Sequence, residues 1–247
     1  MISNAELSNL ELSNLELSKA ELSNFELSNS KLSNAELSNA ELSKAEVKQI
    51  REALEYAKNP FFFFHKDCDG LVSFLLLYKE KFQGDFLAVE DLPLKAKLAE
   101  KAKDSDVIFI LDIATVEEDF FKDVKVPVYW IDHHMPIAIE NEIKYFNPRL
   151  KDPRSYIPTS YLCWQIYKKN DWISFIGCVA DYQLPDFANK IFENFPDLLP
   201  KEKIIEKIIY ESKFGELIRC FNFVLKGKSK EIKRAISALI KIKTPYE

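Results

Sequence analysis

The chain of 247 residues is poor in cysteine, glycine and histidine, and each scarcity narrows the reading. Its four cysteines, Cys68, Cys163, Cys178 and Cys220, are scattered without a CxxC pair or zinc spacing. They read as reduced thiols in a cytoplasmic protein, not as disulfides or a zinc cage. No apolar run approaches the ~20 residues of a membrane span, so no membrane partner is expected. The opening residues MISNAELSNL lack the basic region and continuous apolar stretch of a secretory signal. A net charge of −5 is not the footprint of a duplex-DNA binder. Against these absences stands a hydrophobic content of 47%, enough for a sizeable core.

There are three histidines, and all of them fall in two aspartate-rich motifs. His65 opens HKDCDG, with Asp67 and Asp69 two and four residues on; His133 and His134 follow Asp132 in WIDHH. Histidine with aspartate is the donor set of a borderline-to-hard divalent metal. Each motif follows an apolar, strand-like run: FFFF (61–64) leads into His65 and VPVYWI (126–131) into Asp132. A third run, VIFIL (107–111), leads into Asp112. Three such runs predict parallel strands whose C-terminal ends converge on one crevice, where open α/β sheets place their sites. In extended chain residues i, i+2 and i+4 share a face, so HxDxD can aim three donors one way.

HKDCDG, Asp112, DHH and the later GCVADYQLP (177–185) resemble motifs I to IV of the DHH phosphoesterase superfamily. The likeness is strongest to the RecJ-like single-strand nuclease branch, whose motifs read H-x-D-x-D-G and G-x-x-A-D. It covers about residues 46–195, and the HxDxD spacing separates the chain from the inorganic pyrophosphatase branch. The resemblance implies an α/β fold, a parallel-sheet DHH domain with flanking helices. It also implies two divalent ions, manganese preferred and magnesium as substitute. His65 and Asp67 would hold the first, Asp69, His133 and Asp181 the second, and Asp112 would bridge them. His134 would face the substrate phosphate instead of a metal; adjacent residues on a strand end point apart, so it is expected to turn away from His133. Asp132 would orient the neighbouring histidine. Gly70 would let the chain turn into the helix DGLVSFLLLYKEKF, and Ser73 belongs to the same motif. The implied activity is metal-dependent phosphodiester hydrolysis, by a two-metal mechanism, of single-stranded nucleic acid or short oligonucleotides, with exonuclease action expected. Two other readings stay open: a phosphatase or phosphodiesterase for small nucleotides such as cyclic dinucleotides, and a non-catalytic replication scaffold. Scaffolds of this family lose metal ligands, and all six are intact here. No Ser or Cys triad signal is present.

From Ala5 to Glu46 the chain repeats AELSN-like pentads, with leucine at 7, 12, 17, 22, 27, 32, 37 and 42. On a helix a five-residue period advances about 500°, so the leucines would spiral and form no stripe. The pattern resembles the pentapeptide-repeat family, which implies a short right-handed β-helix; a helical or disordered repeat is the alternative. Glu replaces the family's usual Asp or Asn, and Leu10, Leu15 and Phe25 occupy positions that prefer small residues. Residues 1–44 carry seven Glu and three Lys. Such an acidic repeat could repel nucleic acid, mimic it or bind a protein partner.

The expected organisation is a repeat segment (1–46), a DHH domain (47–195) and a helical C-terminal extension (196–247). AEVKQIREALEYAKN (45–59) reads as an amphipathic helix ended by Pro60, SYLCWQIYKK as a core helix, and 185–243 as four helices. The stretch 225–243 holds seven basic residues against one acidic, either a solvated helix face or an electrostatic track for nucleic acid. Arg149 and Arg154 are candidates to hold a substrate phosphate. Many DHH nucleases carry a second domain with a glycine-rich motif, but none of the five glycines here are adjacent. A one-domain version, or a second domain supplied by another chain, would leave the cleft open and favour short substrates.

Overall fold

A computed structural model describes residues 41–139 and 143–247. The pentapeptide-repeat reading falls almost wholly outside these residues. The last repeat-like residues, from Lys44, are already helical: Ser43 caps helix α1 (Lys44–Tyr56) through a reciprocal capping box with Glu46.

Five strands follow: β1 (Pro60–His65), β2 (Asp85–Val89), β3 (Val107–Leu111), β4 (Val128–Ile131) and β5 (Lys144–Phe146). All are parallel, in the order β2-β1-β3-β4-β5. Parallel pairing demands crossovers, and these place layers on both faces of the sheet. Helix α2 (Cys68–Lys81) connects β1 to β2, a 3₁₀ segment (Ala96–Ala102) precedes β3, and α3 (Glu118–Asp123) precedes β4. Helices α4 (Thr159–Tyr167), α5 (Asp171–Ala180), α6 (Ala188–Asn194), α7 (Ile205–Glu211), α8 (Lys213–Val224) and α9 (Ser229–Leu239) complete the chain.

Two-sided cover explains the unbroken phenylalanine run. Phe62 and Phe64 point into the core shared with α2, α4 and α5, whereas Phe61 and Phe63 point into the second core under the 3₁₀ segment and α3. Phe62, Phe63 and Phe64 are fully buried, and each stabilises the fold by about 1.5–3 kcal/mol. The C-terminal helices share the first core through Ile208, Phe214, Ile218, Phe221, Ile232 and Ile236.

Strand order reverses between β1 and β3, so the crevice opens where β1, β3 and β4 end, as open parallel sheets require. The basic C-terminal stretch lies at the other end. Lys233 pairs with Asp85, the first residue of β2, and Lys79 in the last turn of α2 donates to the carbonyls of Ile240 and Ile242. It therefore provides no track leading into the crevice. Among the described residues no helix is long and apolar enough to cross a membrane.

Candidate metal centre

The end of β1 and the start of α2 place the first motif. Asp67 is the N-cap of α2: its Oδ1 accepts from the Gly70 amide at 2.9 Å, and its Oδ2 lies 2.6 Å from His65 Nδ1. Burial opposes the charged form of Asp67, but the contact with His65 together with the hydrogen bonds from Gly70 and Asp112 holds its pKa below the usual carboxylate value. Gly70 is not a turn residue. It lies inside the first turn of α2, where a Cβ would collide with the carbonyl oxygen of His65. Glycine is required for close approach of helix to strand.

Asp69 is buried, and both of its oxygens accept backbone bonds from the start of α4: Thr159 N at 2.8 Å and Ser160 N at 3.1 Å. Asp112 follows β3 in the left-handed conformation, φ 59°, with its side chain buried. Thr159 Oγ1 donates to Asp112 Oδ1 at 3.0 Å. The Pro158-Thr159-Ser160 run signals a helix start, but nothing in the sequence marks that this start holds two carboxylates.

The two imidazoles close the cluster. Asp112 Oδ2 is 3.9 Å from His65 Nδ1, and its Oδ1 is 3.4 Å from His133 Nε2. His133 Nε2 is also 3.4 Å from Asp181 Oδ2. Donor atoms of His65, Asp67 and Asp112 lie within 4.8 Å of one another, as do those of Asp69, His133 and Asp181. The six residues singled out in the sequence thus meet in two trios. Asp112 turns one oxygen toward each.

The electrostatics of this cluster favour a cation. Burial, followed by repulsion from neighbouring aspartates, pushes Asp181 up to about 8. Burial raises Asp69 to about 6 and Asp112 well above the usual carboxylate range. His133 is driven down to about 4, by burial first and then by His134, so it is neutral near pH 7, the form that ligates metal. Its outward nitrogen, Nδ1, is buried without a hydrogen-bond partner. Four buried or half-buried carboxylates and two imidazoles fit a pair of divalent ions by donor type and number.

His134 departs from the strand-alternation argument. Strand β4 ends at Ile131, so residues 132–134 do not alternate, and the rings of His133 and His134 lie 4.5 Å apart. A third trio, Asp112, His133 and His134, also has its donor atoms within 4.8 Å. What separates the two histidines is Asp132. Its Oδ1 lies 2.7 Å from His134 Nδ1, and this bond raises the His134 pKa. Asp132 therefore orients His134. It is itself fully buried and accepts from Tyr145 Oη, Asn147 Nδ2 and the His134 amide.

The two arginines differ. Arg149 lies by the cluster: its guanidinium is 5.9 Å from the Tyr156 ring, which stands 5.7 Å from His133, and its charge contributes to lowering His133. The Arg149 Nε is buried and unpartnered. Arg154 instead pairs with Asp152 at 3.3 Å, its side chain largely exposed. Tyr156 was not anticipated; nothing in its local sequence marks it.

No family model matches the sequence, and a search of curated proteins returns no match. Solved structures do match. The DHH domain of a protein described as belonging to a family of ribosomal proteins aligns over 95% of this chain and 65% of its own, with a TM-score of 0.56 and 14% identity. The exonuclease RecJ bound to manganese aligns over 78% of this chain and 64% of its own, with a TM-score of 0.52 and 13% identity. RecJ from Thermus thermophilus in complex with manganese aligns over 78% of this chain and 36% of its own at a TM-score of 0.49 and 13% identity. The chain thus spans between about a third and two thirds of the length of these proteins. The fold is that of a DHH domain, a five-stranded parallel sheet flanked by helices.

Proposed function

We propose that the chain is a metal-dependent phosphoesterase that hydrolyses phosphodiesters of single-stranded nucleic acid or short oligonucleotides. The observation that carries the reading is the Asp112 carboxylate, with one oxygen toward His65 and the other toward His133. That is the disposition a bridging ligand needs. His65, Asp67 and Asp112 would hold one divalent ion, and Asp69, Asp112, His133 and Asp181 the other. Manganese fits the donor set, as does magnesium. When bound, such an ion pair supplies a clamp for the scissile phosphate and a water activated at neutral pH.

The protein's own groups do the rest. The Asp132 bond holds the His134 ring and raises its pKa, so an oriented imidazole stands beside the cluster where charge develops on a phosphoryl group. Arg149, with an unpartnered Nε, is the second candidate for a phosphate oxygen. Thr159 and Ser160 fix Asp69 and Asp112 from behind and keep the donors preorganised. No side-chain nucleophile is needed. Cys68, between two donors in sequence, is buried, and that burial, followed by the aspartates, raises its pKa well above the usual thiol value.

The test is hydrolysis with manganese of a labelled panel: single-stranded DNA, RNA dinucleotides, cyclic dinucleotides and bis(p-nitrophenyl) phosphate. Cleavage of the simple diester together with linear oligonucleotides is expected. Turnover confined to cyclic dinucleotides would move the substrate to small nucleotides, and no turnover of any diester would leave a non-catalytic scaffold.

A further inference from the structure

Helix α5 ends in an unusual way just where it delivers Asp181 to the cluster. The Tyr182 amide donates to Val179 O at 3.0 Å and the Gln183 amide to Cys178 O at 2.9 Å. These two bonds, with Asp181 as C-cap, define a Schellman ending whose next residue must be left-handed. Glycine or asparagine normally fills that place, because a Cβ is strained there. Here it is Tyr182, at φ 56°. A bulky aromatic has been put where backbone chemistry disfavours it, and such strain concentrates at functional sites.

The side chain is not there to fill the core. Tyr182 is 51% exposed, and its hydroxyl meets that of Tyr210 on α7 at 2.9 Å; Tyr210 is itself 66% exposed. None of the ring contacts among the described residues involves either tyrosine. The ring therefore starts one residue from a carboxylate of the cluster, runs outward to α7, and is tethered at its far end.

We propose that Tyr182, steadied by Tyr210, is a stacking platform for a nucleobase of a single-stranded substrate whose scissile phosphodiester lies at the carboxylate cluster. The inference rests on the phosphoesterase reading and adds to it how the site distinguishes a nucleotide chain from a bare diester. A π-face accepts any base, so the platform gives affinity for single strands with little sequence preference. Paired bases are stacked within the duplex and would not reach it.

A substrate–protein cycle tests this with the full chain and manganese. Oligodeoxynucleotides carrying one abasic site, moved stepwise along the strand, are compared for kcat/KM with wild type, Tyr182→Asn and Tyr182→Phe. Asparagine suits the left-handed backbone, so that variant is expected to fold with an equal or higher Tm. In wild type, one position is expected to show a loss of roughly 5- to 150-fold on base removal, the range of one base–aromatic stack. In Tyr182→Asn that penalty should shrink to less than about 2-fold while the intact oligonucleotide loses a similar factor, mainly in KM. Tyr182→Phe keeps the ring and should keep the penalty. An equal abasic penalty in wild type and Tyr182→Asn overturns the proposal, as does a fall in Tm without loss of oligonucleotide binding, which would make Tyr182 a brace for α7. Failure of wild type to cleave even bis(p-nitrophenyl) phosphate would defeat the phosphoesterase reading itself, and this inference with it.

Discussion

Removing divalent metal should make the protein less stable as the pH rises from 6.5 to 8, and manganese should reverse the sign. The carboxyl of Asp181 titrates near 3.8 in an unfolded chain and is pushed up to about 8 in the fold. Above pH 3.8 the unfolded chain has released this proton while the fold still holds it. Stability therefore falls by about 1.4 kcal/mol per pH unit until the folded value is passed. Below pH 6.5 two further groups titrate and largely offset each other, while the fall from Asp181 continues. His133, pushed down to about 4, stays neutral in the fold while the unfolded chain takes up a proton, so its contribution rises with pH there, against that of Asp69, raised to about 6. From 6.5 upward both are spent, and Asp181 remains, with Asp112, raised well above the usual carboxylate range by burial, and His134, raised by its bond to Asp132, adding in the same direction. The expected loss over the window is about 2 kcal/mol, or about 4–8 °C in Tm for a domain of this size. With manganese in excess, the ions favour the ionised carboxylates and bind more tightly as protons leave, so Tm should be flat or rise. Differential scanning fluorimetry on chelator-treated protein, with and without manganese, reads both slopes. A metal-free Tm that climbs across this window, with no response to manganese, would refute the electrostatic reasoning.

Two substitutions probe the parts of the site separately. His134→Ala should keep near-normal manganese content while turnover falls on the order of 10²–10³-fold, whereas His133→Ala should lose metal and activity together; metal analysis of both variants under one manganese concentration decides it. Gly70→Ala should cost about 1–3 kcal/mol by forcing α2 off the His65 carbonyl and weaken manganese binding with it, which thermal melts and metal titration would show.

Much of the architecture was legible because chemistry and periodicity coincided. Three apolar runs ending in His65, Asp112 and Asp132 do form adjacent parallel strands, and the four C-terminal helices lie within the predicted stretch. The short strands β2 and β5 were not read; five and three residues long, they carry too little pattern. His65, Asp112 and His133 were visible because they follow apolar strand-like runs, whereas Asp181, at the end of helix α5, was reached only through the motif resemblance. Their supports were not visible. The grip of Thr159 and Ser160 on Asp69 and Asp112 spans 47 to 91 residues of sequence and leaves no local trace. The strand-alternation rule failed at His133 and His134 because the strand stops one residue before Asp132. The sequence left the basic C-terminal stretch open between a solvated face and a nucleic-acid track for a related reason: its charge is local, but its position at the far end of the sheet is set by how α9 packs.

Whether Asp112 joins two divalent ions into one hydrolytic centre is decided by manganese titration followed by calorimetry. Wild type should bind two manganese ions per chain, and Asp112→Asn should lose most of that binding and nearly all hydrolysis of bis(p-nitrophenyl) phosphate. A wild type that binds no manganese, or an Asp112→Asn variant that binds two ions and turns over normally, would contradict the account.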